Sequence, residues 1–154
     1  MTENFASKSF STDDEFNVID RLAFDTRVTK KSQLYRDGVL DVARTQKLTK
    51  DFQNELAGKG ELFKISLASN KNLSDELFYK LSRNESVDVL KAIAANPSTP
   101  FDVMVKLAKS VFTDVREALA ENLSTPKSIL FDLANDEDWD VKHSVAINPN
   151  FNLG

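Results

Sequence analysis

Three aspartates near the C-terminal end of the chain have the residue type and spacing that most suggest chemistry. Asp136, Asp138 and Asp140 begin like a calcium-binding loop, in which carboxylates at alternating positions supply oxygen ligands. The pattern then departs from such a loop, because Val141 stands where glycine is needed and Ile147 where the bidentate glutamate is needed. This departure favours a structural role, and we predict no metal site and no cofactor.

Residues suited to nucleophilic or phosphate chemistry are scarce. The chain has no cysteine and one histidine, His143, so a Cys/His or Ser/His pair is poorly supplied. The four glycines do not form a phosphate-binding loop, which needs several glycines before a Lys-Ser/Thr pair. Because function must be argued from a site, we predict no catalytic residue and a protein that is not an enzyme.

The strongest pattern in the chain is a repeat of 26 residues, which sets the elements that would position any site. Asn70, Asn96, Asn122 and Asn148 follow one another at this step. We interpret these asparagines as structural groups that satisfy the turn backbone, and the repeat itself as typical of a helical solenoid. The same step relates Ala68, Ala94, Ala120 and Ala146; Leu81, Leu107 and Leu133; Asp88, Asp114 and Asp140; and Val89, Val115 and Val141.

One repeat predicts two helices. Thr99 followed by Pro100 is typical of a helix N-cap with proline at the first helical position, and apolar residues then recur at helical spacing over about 100–109. Asp114 is predicted to cap a second, shorter helix, and Asp140 to be a later copy of the same cap. Pro97 stands where the preceding short helix must end.

The turn Asn-Pro-Ser-Thr-Pro at 96–100 and the segment Asp-Glu-Asp-Trp-Asp-Val-Lys at 136–142 resemble the bacterial variant leucine-rich repeat family, over roughly residues 62–150. The resemblance implies an all-α, right-handed α-solenoid with HEAT-like two-helix repeats. The period here is slightly longer than is usual for that family. The cysteine cluster that holds an iron–sulfur centre in the founding type has no counterpart, so no redox role carries over.

The N-terminal third predicts helices that precede the repeats. Residues 1–12 are polar and predicted to be disordered, without the pattern of a signal peptide. Helices are predicted over 13–24, around an interruption at Asp37-Gly38, and from the cap Thr49 to Gly58. Within one structural domain we interpret 13–46 as a helical cap and 47–154 as the solenoid. Its repeats are 47–72, which is degenerate, then 73–98, 99–124 and 125–150.

Composition and charge limit the partners. The net charge is −4, and residues 61–154 hold fourteen acidic and ten basic side chains, which disfavours a nucleic-acid groove along the repeats. No apolar run is long enough to span a membrane, and the absence of cysteine favours a cytoplasmic protein. One stretch, 27–50, is basic, and it could contact nucleic acid or simply be a solvated helix face. Its candidate residues are Arg27, Lys30, Lys31, Tyr35, Arg36, Arg44, Lys47 and Lys50.

The favoured hypothesis is a module that binds another protein through its repeat surface. Lys91, Glu117 and His143 share one repeat position, which predicts a solvent-facing ridge. Val111 and Phe112 place apolar groups in a polar loop between helices. They are predicted either to contact a partner or to fold inward and cover the loop. Trp139 is expected to pack in the core or as a cap, with the alternative of an exposed anchor for a partner. Phe151 and Leu153 either fold back as a cap or leave an end that packs against another chain, so a monomer and a homo-oligomer both fit.

Overall fold

The computed structural model describes residues 30–84 and 86–152, with side chains from Asp37 onward. Within these ranges the protein is all-α, with ten helices and no strand. The chain divides into two compact units between Ser74 and Asp75. The helix predicted over 13–24 and the disorder predicted for 1–12 lie outside the described residues, as does Leu153.

None of the described helices is both long enough and apolar enough to cross a membrane.

Over residues 30–74, the described part of the first unit, there are three helices, and the third packs against the other two. They are α1 (Lys30–Thr45), α2 (Lys50–Ala57) and α3 (Glu61–Ala68). Helix α2 has the predicted bounds, because Thr49 Oγ1 accepts a hydrogen bond from the Phe52 amide at 3.3 Å and the helix ends before Gly58. The core of this unit is formed by Val39, Val42, Ala43, Phe52, Leu56, Phe63 and Leu67.

The interruption predicted at Asp37-Gly38 is wrong, since α1 runs through both residues without a break. A glycine inside a helix costs about 1 kcal/mol relative to alanine. Val39 and Val42 bury one face of the same helix, and their packing offsets that cost.

The second unit is built from helix pairs whose bounds recur every 26 residues. Helices α5, α7 and α9 pack side by side, and each is contacted by the helix before it. The buried apolar residues keep one phase along the row, as at Val89, Val115 and Val141. The helices are α4 (Asp75–Leu81), α5 (Val87–Ala95), α6 (Phe101–Leu107), α7 (Thr113–Glu121), α8 (Lys127–Leu133), α9 (Trp139–Ile147) and α10 (Pro149–Asn152).

The second helix of each pair is the longer one, which corrects the prediction of a shorter helix. Helices α5, α7 and α9 have nine residues each, whereas α4, α6 and α8 have seven. The sequence signal was misleading because the longer helices contain exposed charged residues between their buried positions, which shortens the visible apolar run.

The threonines before the prolines do not cap the helices that follow, contrary to prediction. Helix α6 begins at Phe101 with Pro100 as its N-cap residue. The hydroxyl of Thr125 donates to the Leu119 carbonyl at 2.6 Å, and that of Thr99 donates to the Ile93 carbonyl. Both threonines are buried. Their hydroxyls therefore need a partner, and the last turn of the preceding helix offers carbonyls at its end.

The predicted aspartate caps are also displaced. Asp114 and Asp140 lie within the first turns of α7 and α9, and Asp138 caps α9 by accepting hydrogen bonds from the amides of Asp140 and Val141. A different repeated position closes the turn before each longer helix. The side chains of Asn84, Ser110 and Asp136 each accept a hydrogen bond from the amide two residues later.

Helix α10 packs against α8 and α9. Phe151 is half-buried there, and its ring meets that of Phe131 edge to face, with 5.5 Å between centroids. The described part of this segment therefore folds back onto the last helix pair, which is the first of the two predicted arrangements.

Candidate interaction surface

The repeated asparagines join consecutive repeats from the inside. The Asn122 Nδ2 donates to the carbonyls of Ala94 and Asn96 at 2.8 and 3.0 Å. The Asn148 Nδ2 makes the same two bonds one repeat later, to Ala120 and Asn122. These side chains are buried, so they hold the longer helices at a fixed spacing and are not a ligand site.

In the first unit Asn70 does the same for α1 and the loop after it. Its Nδ2 donates to the carbonyls of Ala43 and Gln46 at 2.8 and 2.7 Å. Its Oδ1 accepts a hydrogen bond from the Asn72 amide at 2.9 Å. The structural interpretation of the asparagines is therefore confirmed in both units.

With the inner side occupied, the outer side of α5, α7 and α9 presents a surface that we call the acidic face. On each helix it contains three positions spaced i, i+3 and i+7, which lie on one side of a helix. Five of the nine side chains are carboxylates, and Lys91 is the one lysine among them. The positions are Asp88, Lys91 and Ala95 on α5; Asp114, Glu117 and Glu121 on α7; and Asp140, His143 and Ile147 on α9.

The ridge predicted from Lys91, Glu117 and His143 lies along the middle of the acidic face. Lys91 and His143 are exposed, and Glu117 is half-buried. The Lys91 Nζ lies 3.8 Å from Asp114 Oδ2, so this lysine is already shared with a carboxylate of the neighbouring helix.

The carboxylates of the acidic face act on one another. The pKa of Glu117 is raised above its ordinary value, first because the side chain is partly desolvated and then because other carboxylates repel its charge. The repelling groups lie on α7, on α9 and at the N-cap of α9: Glu121, Asp140, Asp114 and Asp138. A cation placed over Glu117 would relieve this repulsion.

Trp139 lies at the edge of the acidic face and is 69% exposed, which corrects the expectation that it packs in the core. Its indole stacks on the His143 imidazole, with ring centroids 5.0 Å apart and planes 12° apart. Trp139 lies two residues before Val141 and six before Val145, both of which are buried. Residues at these spacings lie on opposite sides of an α-helix, so the indole points away from the core. The predicted alternative, an exposed aromatic side chain, is the one that the structure contains.

Val111 and Phe112 lie in the loop before α7. Val111 is 86% exposed, whereas Phe112 is half-buried and donates its amide hydrogen to Ser110 Oγ at 3.2 Å. The exposed Val111 therefore fits the interface interpretation, and the half-buried Phe112 fits the interpretation as a covering of the loop.

A nearly buried ion pair organises this loop and was missed by sequence reasoning. The Arg116 Nε and Nη2 donate to the two oxygens of Asp136 at 2.7 and 3.2 Å, and Nη1 donates to the Ser110 carbonyl at 2.8 Å. The side chains of Arg116 and Asp136 are 11% and 8% exposed. A signal for Arg116 existed, since the same repeat position is occupied by Leu90 and Lys142, but a single arginine does not name its partner.

The pair shifts the titration of both groups. Burial alone would raise the pKa of Asp136, but the hydrogen bonds from Arg116 and the Asp138 amide outweigh it and lower the pKa below its ordinary value. The pKa of Arg116 is raised, chiefly by its hydrogen bond to Asp136. A shallow polar depression of about 360 Å³ lies beside the pair, lined by Lys109, Ser110, Arg116, Asn135, Asp136 and Glu137.

The aspartates considered for calcium are therefore used internally. Asp136 binds Arg116, and Asp138 caps α9. Among the residues that the structure describes, no cluster of three or more potential ligands is arranged to hold a metal ion.

Helices α4, α6 and α8 expose a second group of aromatic side chains. Tyr79 donates its hydroxyl hydrogen to Asp102 Oδ2 at 2.9 Å, which raises the pKa of the phenol. The Lys127 Nζ lies 6.0 Å from the centroid of the exposed Phe131 ring. Phe101, which the helical pattern placed among the apolar positions, is also exposed.

The basic candidates of the first unit are only partly described. Arg27 lies outside the described residues, and the backbone of Lys30, Lys31, Tyr35 and Arg36 lies in α1. Of the other three, Arg44 pairs with Asp41 on the same helix, and Lys47 and Lys50 are exposed.

No protein-family model matches this chain, and comparison with curated proteins and with solved structures found no significant similarity.

Proposed function

We propose that this chain is a non-enzymatic protein-interaction module that binds a partner protein through the acidic face. In this proposal the helix pairs form a right-handed α-solenoid of the variant leucine-rich repeat type, with an N-terminal helical cap, and the protein acts in the cytoplasm as an adaptor, regulator or inhibitor. Helical repeats of this kind commonly present a continuous binding surface to a partner.

The single observation that most supports the proposal is the exposure of Trp139. Tryptophan is the largest apolar side chain, and the chain contains one copy of it, placed at the surface and stacked on His143. Tryptophans of this kind are enriched among the residues that dominate binding energy at protein interfaces. The acidic face beside it supplies charged groups that could select a partner.

Affinity capture from the native lysate, with the full chain as bait, tests this function. Three baits are compared: wild type, Trp139→Ala, and the control Phe101→Ala, which removes an exposed aromatic side chain from the other row of helices. We expect one stoichiometric protein partner that survives nuclease treatment, is lost with Trp139→Ala and is retained with Phe101→Ala. A photo-crosslinking amino acid at position 139 should label the same partner.

Two results would contradict the proposal. Capture that is equal for all three baits would remove the acidic face from the binding surface. Loss of every partner after nuclease treatment would transfer the function to nucleic acid and to the basic stretch 27–50, where charge reversal at Lys30 and Lys31 should then abolish binding.

A further inference from the structure

We infer that the segment bound by the acidic face is arginine-rich and extended, with cationic side chains spaced to reach successive helices. This inference rests on the proposed function and names the chemistry of its partner. It follows from the charge, the exposed aromatic ring and the spacing of the helix row.

The negative charge of the acidic face determines that the bound segment is positively charged. At the nine positions of the acidic face, five carboxylates stand with one lysine, and that lysine is 3.8 Å from Asp114. Lys142, which is also exposed on α9, lies outside these positions. Such a surface repels the phosphates of nucleic acid and attracts lysine or arginine side chains. A cationic segment would also be attracted to the middle of α7, where Asp114, Glu117 and Glu121 lie on successive turns of one side of the helix.

Trp139 decides between lysine and arginine. His143 covers one side of the indole ring, and an exposure of 69% leaves the other side open to solvent. A guanidinium group can stack flat on an indole while its N–H groups reach carboxylates nearby, whereas an ammonium group is a compact, strongly hydrated charge. The aromatic ring beside the carboxylates therefore favours arginine.

The helix row decides the spacing. Packed helices lie about 8–10 Å apart, so equivalent carboxylates on α5, α7 and α9 recur at that distance across the row. An extended chain advances about 3.3 Å per residue, so cationic residues at every third position would meet successive helices. In a helical partner, i and i+3 side chains are about 5–6 Å apart, so only residues about two turns apart would meet successive helices, and an extended segment places more cationic residues on the face for its length.

A synthetic peptide of four Arg-Ser-Gly units tests the inference with the full-length protein. It is compared with Lys-Ser-Gly and Glu-Ser-Gly peptides of the same length, and with a peptide of equal composition whose arginines are contiguous. Fluorescence of Trp139, the single tryptophan of the chain, reports binding directly, and calorimetry serves for variants without it.

We expect the Arg-Ser-Gly peptide to bind about threefold more tightly than the lysine peptide, because a cation–π contact at an exposed site has a magnitude of about 0.5–1 kcal/mol. It should also bind more tightly than the contiguous peptide, and the glutamate peptide should not bind. Trp139→Ala should bring the arginine peptide to the affinity of the lysine peptide. Binding should weaken steeply between about 0.05 M and 0.5 M salt.

A pair of matched double variants tests the role of the acidic face. Glu117→Gln with Glu121→Gln should weaken peptide binding about fivefold, since each exposed ion pair has a magnitude of about 0.2–1 kcal/mol. Glu55→Gln with Glu76→Gln changes the net charge equally, on α2 and α4, and should change affinity less than about twofold. Circular dichroism verifies that each variant is folded.

The inference is overturned if the arginine peptide fails to bind at low salt, if the glutamate peptide binds equally, or if both double variants lower affinity alike. Equal affinity for the arginine and lysine peptides would overturn the role of Trp139 stacking. The capture experiment separates this failure from that of the proposed function. A captured partner that is not basic and is lost with Trp139→Ala would support protein binding through the acidic face and would contradict only the arginine-rich chemistry of the partner.

Discussion

The side-chain amide of Asn148 donates to the backbone carbonyl of Asn122, the residue that occupies the same position one repeat earlier, at 3.1 Å. Asn122 in turn donates to the carbonyl of Asn96 at 3.0 Å. Asn122 is therefore both a donor to the preceding repeat and, through its backbone, an acceptor from the next. This arrangement explains why the sequence repeats asparagine itself, since a shorter or apolar side chain cannot make the same bonds.

Replacing Asn122 with alanine should lower the free energy of unfolding by about 3 kcal/mol. The substitution leaves the buried Ala94 carbonyl without its side-chain donor and the Ser124 amide without its acceptor, whereas the Asn96 carbonyl still accepts from the Thr99 amide. Each orphaned group costs about 1–3 kcal/mol before relaxation. Urea unfolding monitored by circular dichroism measures the change.

Asn135→Ala is the matched control, because Asn135 is exposed and the hydrogen bond of its side chain, to the Phe131 carbonyl, is long at 3.5 Å. Its effect should stay within about 0.5 kcal/mol. Equal losses for the two variants would mean that the bonds between repeats do not determine stability.

The part of the fold that could be predicted from sequence is the part that repeats the same residue types. Asn122 and its equivalents are invariant within the chain, so their structural role was visible. The turn closed by Asn84, Ser110 and Asp136 was not, because three different side chains perform the same hydrogen bond. A repeated position is easier to detect in the sequence when the same residue occupies it than when different residues make the same hydrogen bond there.

The ion pair between Arg116 and Asp136 should make stability depend on acid pH. The folded-state pKa of Asp136 lies below its ordinary value of 3.8, so the stabilisation that it provides is present above pH 3.8 and is lost as the pH falls towards the folded value. Asp136→Asn should therefore cost about 3 kcal/mol at pH 7, because it leaves a nearly buried guanidinium without its counter-ion. The difference from wild type should shrink below pH 3.8.

Urea unfolding at neutral pH and at about pH 3 measures this dependence. Asp132→Asn serves as the control, since Asp132 is an exposed carboxylate on α8 and its loss should matter little at either pH. A difference between Asp136→Asn and wild type that is the same at both pH values would contradict the assignment of the shift to this pair.

Glu117→Gln should have the opposite effect and stabilise the fold at neutral pH. The folded-state pKa of Glu117 lies above its ordinary value of 4.5, so its ionised form destabilises the folded protein once the pH exceeds the folded value. A neutral glutamine removes that cost, and the gain should be about 0.5 kcal/mol, disappearing below pH 4.5. Thermal unfolding over this pH range, with the exposed Glu76→Gln as control, measures the gain.

A gain in stability from Glu117→Gln combined with a loss of peptide binding would show that this carboxylate is kept at a cost to the fold. Residues of that kind are typical of binding sites, where function and stability compete. An absence of stabilisation at neutral pH would contradict the repulsion that we infer from the neighbouring carboxylates.

The candidate site was less predictable than the fold, for a reason visible at Trp139. Its repeat equivalents, Val87 and Thr113, gave no warning of exposure, and tryptophan is usually well buried. Its position as the first residue of α9 decides the outcome, and a cap at Asp140 would place the start of that helix two residues too late. A difference of two residues in the position of the helix start is therefore enough to make Trp139 look like a core residue in the sequence, although it is exposed in the structure.

Trp139 and Val141, two residues apart on α9, should differ in how strongly their truncation destabilises the fold. Val141 is fully buried, and Val141→Ala should cost about 2 kcal/mol through lost burial and the cavity that remains. Trp139→Ala removes far more side chain, yet it should cost no more than about 0.5 kcal/mol, because the indole is largely in solvent and contacts the exposed His143 ring. Urea unfolding of the two variants makes the comparison. If Trp139→Ala proved the more destabilising of the two, the tryptophan would belong to the core, and the main argument for a partner at this surface would be lost.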